Sequence, residues 1–288
     1  MPALSRALAS RISNCRPLST KSTCNFRDAV TITGPKNGDN VGTEEPIIFK
    51  QWFQDMPATQ KWFTPMKSDP SYHVLNLRYL EQFEGTSVPL ELTRFDGTEQ
   101  RPASFTRSEA PLSLLLMHMS SIEQSPSSTL YLAQCPLEDL PSTCQDDVPV
   151  PDLIRRIGRG DIYASSLWMG RAPTHTPLHR DPNPNLFVQL AGRKVVRLVK
   201  PAQGRQLYER SRVGQGHANM RGEEMMVGKE MEQLEHAVWG EGANDADAVN
   251  GVEAKLESGD ALFIPLGWWH AVRGIGRGAN ASVNWWFR

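Results

Sequence analysis

Paired cysteines are missing from this 288-residue chain. Its four thiols, Cys15, Cys24, Cys135 and Cys144, form no C-x-x-C pair. Zinc-site spacing is therefore absent, and a disulfide framework is not expected at this size. A basic surplus is also missing: 31 Lys and Arg stand against 32 Asp and Glu, for a formal charge of −1. Nonspecific nucleic-acid affinity needs such a surplus, so nucleic acid is not a favoured partner. The longest apolar run, around Leu114 to Met119, falls far short of the ~20 residues that span a bilayer, and no membrane partner is expected. No repeat of solenoid or propeller period is visible.

What is present is a globular composition. Hydrophobic residues make up 39% and charged residues 22%, enough to build a sizeable core, which excludes global disorder. Prolines and glycines are spread along the chain, and four of the eight tryptophans fall between Trp268 and Trp286. Short strands with many turns fit this better than a helical bundle.

The first residues read as an address. Arg6, Arg11, Arg16, Lys21 and Arg27 precede the first acidic residue, Asp28. Leu4, Leu8 and Ile12 can share one helical face beside arginines. This pattern predicts a mitochondrial transit peptide over 1–30 and a matrix location. The alternative is a basic tail on a cytoplasmic or nuclear protein. A chain lacking residues 1–27 would carry −6 in place of −1. Residues 31–45 are rich in turn formers and read as a linker, and 46–288 as one folded domain.

Within that body, HVLNLRYL and VPLELTRF alternate as strands do, and LSLLLMHM after Pro111 suits a buried helix. FVQLAG and RKVVRL, separated at Gly192, read as a hairpin. An insert over 204–255 contains an acidic stretch of helical composition, and specificity is expected to reside there and in the loops.

Chemistry enters at His179-Arg180-Asp181. In an extended segment, residues two apart point to one side, so the imidazole and the carboxylate converge while the arginine turns away. A third ligand from a distant strand would complete two histidines and one carboxylate, the facial triad of non-haem Fe(II) oxygenases. His175 and His179 are four apart, but Pro177 between them excludes a helical metal face. His175 reads as a loop residue near the cosubstrate entrance, and His73, His118, His217 and His236 as structural or exposed.

The ordered set TPLHRDPNPNLFVQLAGRKVVRL, GDALFIPLGWWH and SVNWWF is similar to the cupin-like JmjC branch of the Fe(II)/2-oxoglutarate oxygenases. It most resembles the hypoxia-pathway asparaginyl hydroxylase and its JmjC hydroxylase neighbours. The likeness is strong over 165–200 and 257–288 and looser from Pro46 to Pro136. It implies a mainly β fold, a double-stranded β-helix (a jelly roll or cupin barrel of JmjC type) with flanking helices. It implies metal ligands at His179, Asp181 and His270. It also implies Lys194, Thr176 and Tyr131 on the distal carboxylate of 2-oxoglutarate, and Asn185 and Asn284 flanking cosubstrate and metal. The cofactors implied are Fe(II), 2-oxoglutarate and O2, with succinate and CO2 released as a C–H bond is hydroxylated. The expected substrate is a protein side chain. The alternatives are a tRNA hydroxylase, a lysine demethylase, or a metal-binding module without catalysis. A homo-oligomer stays open.

Overall fold

The computed structural model describes residues 25–33, 42–96, 101–121, 127–211, 226–240 and 249–288. The segment read as an address therefore lies, up to residue 24, outside the described residues, as does His217.

The chain is mostly strand. In order they are β1 (Asn25–Asp28), β2 (Val30–Ile32), β3 (Ile47–Phe49), β4 (Phe63–Met66), β5 (Asp69–Leu75), β6 (Ser87–Asp96), β7 (Arg101–Pro111) and β8 (Ser128–Pro136). They continue with β9 (Ile162–Arg171), β10 (Thr174–Arg180), β11 (Asn185–Ala191), β12 (Arg193–Val199), β13 (Asn250–Glu257), β14 (Ala261–Ile264), β15 (Trp269–Ile275) and β16 (Ala279–Phe287). One sheet has the order β1-β13-β12-β15-β10 and faces a larger one ordered β2-β3-β14-β11-β16-β9-β8-β6-β7. From β9 to β16 successive strands alternate between the two sheets, except that β12 and β13 pair within the smaller one, which is the double-stranded β-helix of a cupin jelly roll.

Binary patterning explains the layers. In β12, Lys194, Val196 and Leu198 are buried while Arg193, Val195 and Arg197 are less so. The buried set meets Phe187, Val252, Leu262 and Val272 between the sheets. Every residue of β11 is buried, because its strand is paired on both sides and covered on both faces. On the outer face of the larger sheet, the helices Leu112–Ser120 and Leu153–Ile157 bury Leu115, Leu116 and Ile154 against Leu132, Val283 and Trp285.

Three features differ from the sequence expectations. β11 and β12 do not pair, so the hairpin at Gly192 is not formed; they lie in opposite sheets. The commonest tight hairpin needs two turn residues, and a single glycine turns a corner instead. Gly192 has φ +71°, and a Cβ there would lie 2.5 Å from the Ala279 carbonyl oxygen. Second, β13 claims the last residues of the 204–255 insert, so the connection from β12 to β13 runs from 200 to 249. Third, residues 25–32, expected ahead of the folded body, pair into both sheets. β1 runs parallel to β13 and β2 parallel to β3.

That third difference has a measurable consequence. The Phe26 ring lies 4.6 Å from the Arg197 guanidinium, and Ala29 is buried between the sheets. Deleting residues 1–24 is expected to leave the melting temperature unchanged. Extending the deletion through Ile32 should lower it by several degrees, at about 2–4 °C per kcal/mol for a chain of this size. Equal melting curves for the two truncations would show that β1 and β2 contribute nothing.

Candidate functional site

The site forms where β10 and β15 run antiparallel and set His179 directly opposite His270. β10 carries a register shift between Thr176 and His179. Pro177 sits in it, and proline, lacking an N–H, is tolerated at such a bulge. The Pro177 carbonyl accepts a hydrogen bond from His179 Nδ1–H at 2.8 Å, and the Trp268 carbonyl accepts from His270 Nδ1–H at 3.5 Å. A carbonyl can only accept, so each bond places a proton on Nδ1 and turns Nε2 toward Asp181. The two rings stand 4.1 Å apart between centroids.

Asp181 follows the end of β10 on the same side. Its carboxylate oxygens lie 3.9 Å from His179 Nε2 and 3.6 Å from His270 Nε2. One ligand atom from each residue lies within 4.8 Å of the other two, so a single ion can take all three. Burial would push the Asp181 carboxyl up, but His270 and His179 beside it and the Asn185 amide hold it below the usual carboxylate range. Asn185 Nδ2 donates to Asp181 Oδ2 at 2.8 Å and fixes the carboxylate. Asn284 Nδ2 donates in turn to Asn185 Oδ1 at 3.0 Å. Arg180 turns away, as its place between two inward residues requires, and stands 5.9 Å from the Trp269 ring.

A cleft opens onto these atoms. Lys194, Thr176, Tyr131, Asn185 and Asn284 all line it with the three ligands, so every expected site residue reaches one cavity. Lys194 is 2% exposed, donates to Ser282 Oγ at 2.7 Å and lies 5.1 Å from the Phe187 ring centroid. A buried ammonium on a cavity wall is suited to a carboxylate, whose own burial needs a cation and hydrogen bonds. Asn284 Oδ1 is buried with no hydrogen-bond partner among the described residues, an acceptor left for a guest. Two nitrogens and one oxygen on one side of a polar-floored cleft fit an octahedral metal with open positions and a dicarboxylate cosubstrate.

The cleft also takes Trp286, and with it Gln134, Trp168, Phe187, Val272 and Ser282, five residues that the sequence did not single out. Ser282 could have been found, since it lies two residues before Asn284 on one strand and so shares its face. Gln134 carried no such signal. It enters through a left-handed backbone, φ +53°, at an irregularity of the β8–β9 pairing, and Arg107 Nη1 donates to its Oε1 at 3.2 Å.

Other histidines serve the fold. His73 Nδ1 accepts the Gly192 N–H and His118 Nε2 accepts the Leu130 N–H, each at 3.2 Å, and burial holds both below the usual histidine range. His175 is not at the cosubstrate entrance. It lies on β10 one residue before Thr176, faces the other side, and lines a separate cavity with Arg171, Arg273 and Glu235.

With this geometry in place, the comparisons with known proteins are informative. The sequence profile of the cupin-like domain matches residues 37–288. "Lysine-specific demethylase JMJ30" of Arabidopsis thaliana is 28% identical over 242 residues, which cover 84% of this chain and 49% of the plant protein. "Lysine-specific demethylase 8" of Xenopus tropicalis is 24% identical over 247 residues, 84% of this chain and 48% of the frog protein. "Jumonji C domain-containing protein 5" of Drosophila melanogaster is 27% identical over 251 residues, 84% and 54%. The chain spans about half the length of these curated relatives.

Proposed function

Because the chain belongs to the cupin-like JmjC family of Fe(II)/2-oxoglutarate oxygenases, we propose that it hydroxylates a protein side chain. The observation that carries this reading is the meeting of His179, Asp181 and His270 at one point of a cleft whose wall holds the buried Lys194. Family members use Fe(II), 2-oxoglutarate and O2, and these supply the oxidising power to hydroxylate a C–H bond while releasing succinate and CO2.

This chain's residues do the positioning. His179 and His270 present Nε2 lone pairs, and Asp181 supplies the charge, held in orientation by Asn185. Lys194, with the Thr176 and Tyr131 hydroxyls, receives the distal carboxylate of the cosubstrate. Phe187, Val272 and Trp168 exclude water from the same volume, which strengthens that ion pair. His179, Asp181 and His270 would hold the metal at the cleft, which is left to the cosubstrate and to an entering substrate side chain.

A second reading keeps the site and changes the substrate. Two of the relatives are named lysine-specific demethylases, and hydroxylation of an N-methyl carbon yields a carbinolamine that breaks down to formaldehyde and the free amine. The purified protein should form succinate from 2-oxoglutarate in an Fe(II)-dependent way, and faster with substrate. Protein products heavier by one oxygen atom support side-chain hydroxylation; formaldehyde with loss of a methyl group supports demethylation. Absence of succinate from folded, iron-loaded protein would leave only the metal-binding interaction module.

A further inference from the structure

The connection between β12 and β13 reads in sequence as an insert for specificity, yet among the described residues it contributes nothing to the cleft wall. Its two helices, Pro201–Ser211 and Lys229–Trp239, lie behind the smaller sheet instead. Resting on the reading of His179 and His270 as metal ligands, we infer that this connection is a positioning element. It holds the two ligand-bearing strands from behind and so sets the imidazoles.

The reasoning starts from strand alternation. Both imidazoles point into the cleft, so the residues preceding them, Leu178 and Trp269, must point out of the barrel. On an uncovered sheet they would face water. They are 1% and 3% exposed, so something covers them. The cover is Leu207 and Tyr208 from the first helix and Leu234 and Val238 from the second. The first helix packs on β15, which carries His270, and the second on β10, which carries His179. Each ligand strand thus has its own helix.

The closest approach is at Gly204. A Cβ built there would collide with the Trp269 ring and lie 2.6 Å from its Cβ, so the helix can sit this close only with glycine. The Tyr208 ring stacks nearby, 5.3 Å from Trp269 between centroids. Polar bonds lock the second helix to the sheet. Arg197 Nη1 donates to the Val238 carbonyl at 2.7 Å, and its guanidinium lies 4.6 Å from the Trp239 ring. Arg273 donates to Glu235 at 2.6 Å and lies 4.3 Å from the same ring. Close-packed interiors transmit displacement rather than absorbing it. A shift of Trp269 therefore moves the next residue, His270, against His179 and Asp181.

The test reads metal binding without turnover. The metal-free protein is titrated with Co(II), following its visible absorption, for wild type, Gly204→Ala and Gly259→Ala. Alanine is the better helix former, so any loss at 204 comes from the contact with Trp269. Gly204→Ala is expected to raise the Co(II) Kd by about 10–100-fold, the usual cost of disturbing a residue that orients a metal ligand, and to change the shape of the bands. Gly259→Ala is the control. Gly259 has φ +88°, which strains any side chain, and its Cβ would lie 3.0 Å from Gln54 Cα in the turn between β13 and β14, strands without ligands, so it should lower the melting temperature and leave Kd and spectrum alone. Should Gly204→Ala not fold, Tyr208→Leu withdraws the ring from Trp269 and carries the same expectation. If the 204 or 208 variant melts lower but keeps wild-type Kd and bands, the helices are only structural and the inference is overturned. Folded wild-type protein that binds no Co(II) would overturn the metal-site reading itself, a distinct result.

Discussion

Replacing Asp181 with alanine is expected to lower 2-oxoglutarate turnover by more than about a hundredfold, since disturbing even the residues that orient metal ligands costs about 10–100-fold. The fold should survive. The Asp181 side chain is 14% exposed at the edge of a cleft, so its loss opens no core cavity, and the main local cost is the stranded Asn185 amide. His179 and His270 remain, but two neutral imidazoles lack the charge that completes the set. Asp181→Asn separates charge from shape. It keeps the side-chain volume and loses the anion, and it should be nearly as inactive as the alanine variant. The measurement is succinate formation at saturating Fe(II), with circular dichroism on the same samples. Turnover at the wild-type rate from correctly folded Asp181→Ala would remove Asp181 from the metal site.

Lys194→Ala should weaken 2-oxoglutarate binding far more than metal binding. Losing one partner of a buried ion pair costs about 3–5 kcal/mol, a factor of about a hundred to a few thousand in affinity. The geometry favours the upper part of that range, because Lys194 is deep in the cleft beside Phe187 and held by Ser282. Lys194→Arg should also be impaired. A planar guanidinium is longer than an ammonium, and its fork needs room that a closed pocket lacks. Titrating 2-oxoglutarate into the anaerobic Fe(II) protein, followed by its charge-transfer absorption, measures the Kd of each variant. If Lys194→Ala bound 2-oxoglutarate as wild type does, the carboxylate anchor would lie elsewhere in the cleft.

Two of the candidate ligands were legible in the residue pattern itself, and the third, His270, only through the family resemblance. His179 and Asp181 are two apart, and strand alternation alone puts both on one side. Lys194 is the counter-example of a residue half legible. Its place on an extended run was readable, but its partner Ser282 lies 88 residues away, on a strand of the opposite sheet. Gln134 was not legible at all, since its entry into the cleft depends on a local left-handed backbone that the run of polar and apolar residues does not announce.

By itself the sequence determined that His179 and Asp181 ride on one side of an extended segment, because that follows from residue type and a period of two; the other site residues rested on the resemblance to the JmjC family. Only the tertiary structure decided which strands are neighbours. FVQLAG and RKVVRL have the pattern of a hairpin, yet they part at Gly192 into two sheets, where β11 pairs with β14 and β16 and β12 with β13 and β15. The same holds for residues 25–32, whose partners Asn250–Glu253 and Ile47–Phe49 no local signal could identify, and for the helices behind β10 and β15. Alternation says which side a residue faces. What it faces there is set by burial summed over the whole chain, and so the described helices of the insert expected to read a substrate came to rest behind β10 and β15.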